Sequence, residues 1–143
     1  MIGIVLVGHG GLAPEVLRSI ESVLGHPVPG MTAVAATVDD TLESLRARIA
    51  AAAASVDEGQ GTIILTDMFG DSATNVSVAL AREAHIQVVS GVNVPILLKV
   101  ISARHVMDLE ALAAFVVEYG REHILRAGPG APATPVPGKR GAG

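Results

Sequence analysis

The stretch GTIILTDMFGDSATN, residues 61–75, contains a buried strand, a polar loop and the start of a helix. Its apolar run, residues 61–66, is rich in β-branched side chains, which is typical of a strand buried on both faces. We interpret Ser72 as the N-cap of the helix that follows, because a serine side chain accepts a hydrogen bond from the first helical turn. The stretch therefore predicts a strand–loop–helix unit with Asp67 at the carboxyl end of the strand.

The same unit recurs along the chain. Three further apolar runs of strand length occur at residues 2–7, 31–37 and 86–92, and each precedes residues with helical spacing. A last helix is predicted over residues 107–120. Strands that alternate with helices predict right-handed crossovers and a parallel sheet covered on both faces. The predicted fold class is therefore α/β, with a doubly wound sheet.

Capping and breaking residues indicate where the helices begin and end. We interpret Asp40 and Glu43 as a capping box that opens the second helix. Asn93 and Pro95 indicate a helix start after the fourth strand, since proline is tolerated in a first turn. Gly25 is the predicted end of the first helix.

The composition limits the class of protein. The chain has 143 residues, a formal net charge of −4 and no cysteine. A binder of DNA or RNA usually carries a basic face, and thiolate chemistry needs cysteine, so both are excluded. No apolar run approaches the ~18 residues that span a bilayer, and we expect a cytoplasmic protein. Residues 128–143 are nearly all Gly, Pro and Ala, which predicts a disordered tail after a single domain of residues 1–127.

Polar residues of chemical use follow two of the predicted strands. His9 lies between glycines after the first strand, and Asp67 follows the third. Because ligands bind at the carboxyl ends of parallel strands, we expect the two side chains to lie together. A carboxylate fixes the tautomer of a neutral imidazole, which is then a nucleophile toward phosphorus. Backbone N–H groups of Gly10, Gly11 and the helix start near Ser72 are predicted to bind the phosphoryl oxygens, without metal or cofactor.

Two other interpretations stay open at this point. His9 and Asp67, taken singly, are compatible with ordinary loop residues. The sequence GHGGLA, residues 8–13, also fits the dinucleotide-binding fingerprint. That fingerprint requires an acidic residue at the end of the second strand, where this chain has Thr37.

Three motifs in the same order resemble the IIA domain of the mannose-type enzyme II of the bacterial sugar phosphotransferase system. They are GHGG at residues 8–11, TDMFGDSATN at residues 66–75 and SGVNVPILLKVISAR at residues 90–104. The resemblance covers roughly residues 1–127. It implies sugar transport as the setting and a phosphotransferase as the class of enzyme.

The resemblance also implies roles for individual residues. His9 corresponds to the histidine phosphorylated at Nε2, Asp67 to the carboxylate that orients it, and Ser72 to a hydroxyl near the phosphoryl group. The donor would be the histidine-containing phosphocarrier protein, and the acceptor a IIB component. The implied sheet order is 2-1-3-4. An antiparallel fifth strand, for which residues 122–127 are our candidate, would be exchanged in a homodimer.

The loop after Asp67 departs from the family pattern. Where the family usually reads Gly-Gly-Ser-Pro, this chain has Asp71 in place of the second glycine and Ala73 in place of the proline. A carboxylate near a phosphoryl group is unfavourable unless it points away or contacts a partner. The altered loop therefore leaves open a regulatory protein that senses its phosphorylation state. A related alternative is a phosphotransfer subunit of a dihydroxyacetone kinase, whose Met-Gly-Ser pattern after the aspartate matches DMFGDS less well than the mannose-type loop does.

Overall fold

The computed structural model describes residues 1–131. Four strands form one sheet in the order β2-β1-β3-β4, and every neighbouring pair is parallel. The elements are β1 (Gly3–His9), α1 (Leu12–Leu24), β2 (Met31–Ala36), α2 (Leu42–Val56), β3 (Thr62–Thr66), α3 (Ser72–Ala81), β4 (Ile86–Ser90), α4 (Val94–Ala103) and α5 (Leu109–Glu122). The predicted fold class and the sheet order implied by the resemblance are both confirmed.

Helices cover both faces of the sheet because successive residues of a strand point in opposite directions. In β1, Ile4 and Leu6 pack into the cluster formed with α1, α4 and α5. Val5 and Val7 pack into a second cluster, with α2 and α3. All four side chains are at most 1% exposed. A strand buried on both faces has no accessible polar side chains along its length. The polar residues therefore lie at the ends of the strands, at the edges of the sheet.

Two of the predicted helix starts differ by one residue from the structure. Thr41, not Asp40, is the N-cap of α2, and its side chain accepts a hydrogen bond from the N–H of Ser44. Ser44 completes the capping box, in place of Glu43, by accepting from the N–H of Thr41. Asp40 instead accepts hydrogen bonds from the N–H of Thr37 and from Arg48.

The predicted cap of α3 was also wrong. Asp71 is the N-cap, since its side chain accepts from the N–H of Thr74, and Ser72 is the first residue of the helix. The other two predicted boundaries are confirmed. Gly25 ends α1 in the left-handed conformation, with φ of 77°. Asn93 caps α4 ahead of Pro95.

The amino edge of the sheet, where the strands begin, contains a buried cation. Arg104, which follows α4, is 2% exposed. Its Nη2 donates to the carbonyl oxygen of Pro29 at 2.6 Å, and its Nη1 to those of Gly30 at 3.3 Å and Ile2 at 3.4 Å. The side chain thus connects α4 to the segments that lead into β1 and β2.

The segment after α5 has neither helix nor strand within residues 123–131. Ile124 and Leu125 are exposed there. A strand exchanged through residues 122–127 needs a second subunit, so it stays a prediction. The predicted tail falls mainly on residues 132–143, outside the described part of the chain. Among residues 1–131, none of the helices is long and apolar enough to cross a membrane.

Candidate active site

His9 is the last residue of β1 and therefore lies at the carboxyl edge of the sheet, where the strands end. Its backbone pairs with Ala36 of β2, and its side chain is 56% exposed. Gly10 turns the chain away at φ of 54°, a left-handed conformation that glycine adopts without strain. The imidazole is consequently fixed at its root and open to solvent at its tip.

Asp67 follows β3 directly and reaches the ring of His9. Its Oδ2 lies 2.8 Å from His9 Nδ1 and also accepts the backbone N–H of His9 at 2.9 Å. Its Oδ1 accepts the N–H of Met68 at 3.0 Å. The side chain is 12% exposed. The expectation that His9 and Asp67 lie together is confirmed, and the carboxylate is held by the loop that it belongs to.

The contact shifts the pKa values of both His9 and Asp67. The hydrogen bond that the ring donates to Asp67, together with the negative charge of Asp67, raises the pKa of His9 above its ordinary value of 6.5, although burial opposes the shift. Burial alone would raise the pKa of Asp67. The hydrogen bonds from the backbone and ring of His9, its charge and the N–H of Met68 outweigh burial, so the pKa of Asp67 lies below 3.8.

These pKa directions determine the tautomer of the neutral ring. An ionised Asp67 only accepts hydrogen bonds, so Nδ1 of His9 must carry the proton. We assign the proton from this hydrogen-bond network. The lone pair of neutral His9 is therefore on Nε2, on the opposite side of the ring from Asp67. This arrangement is that of an oriented nucleophile or general base.

The residues predicted to bind phosphate lie near His9, in the cleft beside it or at the start of the next helix. Gly10 and Ser72 line the same open cleft as His9, which has a volume of about 770 Å³. Gly11 is the N-cap of α1, where no side chain caps the helix. A Cβ added at Gly10 or Gly11 would meet nothing within 4 Å. Uncapped N–H groups and open space at a helix start are suited to an anion.

Two buried threonines, which the sequence analysis missed, hold the loop that carries Asp67. The hydroxyl of Thr74 donates to the carbonyl oxygen of Met68 at 2.6 Å and lies 2.8 Å from the hydroxyl of Thr66. Thr66 and Thr74 are at most 2% exposed. The only sequence signal was a threonine at the end of an otherwise apolar strand.

Asp71 lies on the other side of the ring from Asp67 and does not point away from the site. Its side chain is 7% exposed, and its Oδ2 lies 3.4 Å from His9 Nε2. The sequence indicated this residue only through its departure from the family loop. Its capping position aims the carboxylate at the ring.

His9, Asp67 and Asp71 offer metal-ligand atoms that lie within 4.8 Å of one another. However, Nδ1 of His9 is engaged by Asp67, so only Nε2 and the Oδ2 of Asp71 face an ion together. Protein zinc sites use three or four such ligands. The prediction of a metal-free site stays a prediction.

The fold and site together define a class: a parallel α/β domain that presents a carboxylate-oriented histidine at the carboxyl edge of its sheet. Residues 3–117 match the protein family described as the PTS system fructose IIA component, where PTS is the phosphotransferase system. The chain belongs to this family.

Curated relatives and solved structures agree with the family. The mannose-specific EIIAB component of Escherichia coli (strain K12) is 32% identical over 95% of this chain and 43% of its own length. This chain therefore spans less than half of that relative. The fructose-specific EIIA component of Bacillus subtilis (strain 168) is 26% identical over 78% of this chain and 77% of its own length. The crystal structure of component EIIA from Streptococcus agalactiae has a TM-score of 0.79 at 25% identity, over 88% of this chain and 97% of that one.

Proposed function

We propose that the protein is a phosphoryl carrier, in which Nε2 of His9 accepts a phosphoryl group from one protein and passes it to another. The observation that carries this proposal is the 2.8 Å contact between His9 Nδ1 and Asp67 Oδ2. That contact leaves Nε2 as the reacting atom of an exposed ring. Membership of a phosphotransferase family supports the same reaction, with phosphohistidine as its intermediate.

The proposed transfer is a displacement at phosphorus. The lone pair on Nε2 of neutral His9 forms the new N–P bond. The bond between phosphorus and the donor's histidine nitrogen breaks, and its electron pair returns to that nitrogen. Because Nδ1 keeps its proton, the His9 ring becomes cationic, and Asp67 stabilises this charge. The same steps in reverse deliver the group to the acceptor.

The backbone around His9 favours the phosphoryl group. The uncapped start of α1 follows Gly11, and a helix N-terminus carries partial positive charge. Ser72 and Gly10 line the cleft beside the ring. We assign these groups to the phosphoryl oxygens, and the proposal needs no cofactor.

The proposed donor is the histidine-containing phosphocarrier protein, and the proposed acceptor is the IIB component of a sugar phosphotransferase system in the cytoplasm. Both are partners that the family resemblance implies. Exposed apolar side chains beside His9 support contact with proteins: Leu42 lines the cleft, and Met68 and Phe69 follow Asp67 in the loop. Exposed apolar patches of this kind mark protein-binding surfaces.

We further propose a homodimer that exchanges residues 122–127. The strand β4 is an edge of the sheet, and an open edge is a template for another strand. Ile124 and Leu125 are exposed apolar residues, and Ile124 lines a small cleft together with Val89 and Ser90 of β4. Sedimentation of the full chain at micromolar concentration measures the mass, and the mass of one chain would contradict the proposal.

The carrier role is tested by replacing His9. Labelled phosphoenolpyruvate and the two general phosphotransfer proteins should label the wild-type protein with an acid-labile, base-stable phosphoryl group. The His9→Ala variant should take up none, while His26→Ala, which removes an exposed histidine from a distant turn, should label normally. Full labelling of a folded His9→Ala protein would falsify the proposal.

A further inference from the structure

The carboxylate of Asp71 is buried, and one of its oxygens has no hydrogen-bond partner within residues 1–131. Oδ1 accepts the N–H of Thr74 at 2.7 Å, which satisfies the start of α3. Among the described residues, Oδ2 accepts no hydrogen bond, and it lies 3.4 Å from Nε2 of His9. A buried acceptor without a partner is uncommon in native proteins and costs free energy. The backbone at Asp71 is extended, with φ of −86° and ψ of 175°, so other residues fit there equally well.

Oδ2 borders the space that a phosphoryl group on Nε2 would occupy. A phosphoryl group carries about −1.5 to −2 charges at neutral pH, so a carboxylate at this distance repels it. The cleft lining, among the described residues, contains no Lys or Arg that could neutralise Asp71. Arg48, beside the cleft, is already paired with Asp40 at 2.8 Å. The described residues that line the cleft therefore supply no cationic Lys or Arg side chain to offset the charge of Asp71.

We propose that Asp71 is a specificity-determining residue, whose carboxylate disfavours a phosphoryl group on Nε2 of His9 until a cationic side chain of the partner protein pairs with it. This inference rests on the proposed carrier function and adds a requirement to it. A donor or acceptor with a Lys or Arg opposite Asp71 relieves the repulsion during transfer. A phosphoryl donor without such a group meets the full repulsion.

The inference distinguishes two kinds of donor. Phosphoramidate is a small phosphoryl donor with no cationic side chain. In its zwitterionic form the nitrogen already carries three protons. Nε2 attacks the phosphorus, the P–N bond breaks, and ammonia leaves with those three protons and the electron pair of that bond. The phosphocarrier protein delivers the same group from a protein surface. The rate with phosphoramidate should depend strongly on Asp71, and the rate with the protein donor should depend on it weakly.

The test uses Asp71→Asn, which removes the charge and keeps an oxygen that can cap α3. Asp108→Asn is the matched control, because Asp108 caps α5 through the N–H of Ala111 at the far end of the molecule. We expect Asp71→Asn to raise the initial rate of His9 labelling by phosphoramidate about tenfold, and by the protein donor less than about threefold. Asp108→Asn should match the wild-type protein with both donors.

Three outcomes would overturn the inference. Equal rates for wild-type and Asp71→Asn proteins with phosphoramidate would reduce Asp71 to a helix cap. Equal increases with both donors would remove the requirement for a partner cation. If neither protein is labelled by either donor, the carrier function itself is wrong. If the wild-type protein is labelled and His9→Ala is not, the carrier function stands. Any difference between wild-type and Asp71→Asn proteins then concerns Asp71 alone.

Discussion

At the amino edge of the sheet, the guanidinium of Arg104 donates to main-chain carbonyl oxygens and is 2% exposed. At the carboxyl edge, His9 is 56% exposed and lies between the carboxylates of Asp67 and Asp71. Both edges place charge against the ends of the same strands. At the amino edge the charge is sealed from solvent and connects segments of backbone. At the carboxyl edge the two carboxylates are 12% and 7% exposed, but the imidazole between them is accessible to solvent.

The difference shows how one sheet separates stability from chemistry. Carbonyl oxygens cannot titrate near neutral pH, so the contacts of Arg104 are insensitive to pH. Carboxylates beside an imidazole change the proton affinity of that ring, which is the property that a nucleophilic histidine needs. Variants at the two edges should therefore change different measured quantities.

The largest effect is expected from Asp67→Asn. The variant keeps the size of the side chain but removes the charge that stabilises the cationic ring, and its amide can favour the wrong tautomer. At a pH where the His9 ring is fully neutral, the rate of phosphoryl transfer should fall by a factor of about 10²–10⁴. The rate is measured by quenching the labelling of His9 at a series of times. Asp57→Asn is the matched control, because Asp57 accepts the N–H groups of Gly59 and Gly61 at the amino edge.

The same experiment, repeated over a range of pH, has a predicted direction. Asp67 raises the pKa of His9 above 6.5, and only the neutral ring attacks phosphorus, so the wild-type rate should rise as pH increases through that raised pKa. The protonated pair of His9 and Asp67 contributes fully to the stability of the folded protein below pH 6.5. That contribution is lost as the pH rises through the raised pKa of His9. In Asp67→Asn the midpoint should move to lower pH. An unchanged rate and midpoint would make Asp67 a turn residue only.

A smaller effect, of a different kind, is expected from Arg104→Met. Methionine fills a similar length, but it leaves the carbonyl oxygen of Pro29 without its 2.6 Å donor. The free energy of unfolding should fall by about 2–3 kcal/mol, measured by urea denaturation. The rate of His9 labelling should not change at a temperature where the variant is folded.

Arg18→Met is the control for this variant, since Arg18 is exposed and, within the described residues, pairs only with its helical neighbour Glu15. Its unfolding free energy should stay within about 0.5 kcal/mol of the wild-type value. If Arg104→Met slowed phosphoryl transfer without loss of stability, the two edges would be coupled, contrary to the separation described here.

Much of the carboxyl edge was predictable from sequence, because the strands are apolar runs that are easy to identify and their alternation with helices indicates a parallel sheet. Once β1 and β3 were predicted to be parallel, His9 and Asp67 had to end at the same edge. The helix caps were harder to predict. Asp, Ser and Thr all cap helices, so Asp71 and Ser72 are equivalent in sequence, and only the backbone dihedrals distinguish them.

The remaining features depend on contacts between distant segments. The aim of the Asp71 carboxylate at Nε2 follows from its capping position, which the sequence analysis assigned to Ser72. Arg104 has no local signal at all, because a buried arginine is defined by the carbonyl oxygens of Pro29 and Gly30, more than seventy residues away in the chain. Thr74 is a different case, since its partners Thr66 and Met68 are only eight and six residues away, and the conformation of the loop brings them together.

A single oxygen of Asp67 accepts hydrogen bonds from both the backbone N–H and the ring of His9. Because His9 is also paired with Ala36 in the sheet, its imidazole has few orientations left to lose when it reacts. An oriented reactant behaves as though it were present at an effective molarity of up to about 10⁵–10⁸ M. The entropy of aiming the ring is thus lost when the chain folds, so in the proposed transfer the partner has to position only its own groups: the phosphorus atom at Nε2 and the cation opposite Asp71.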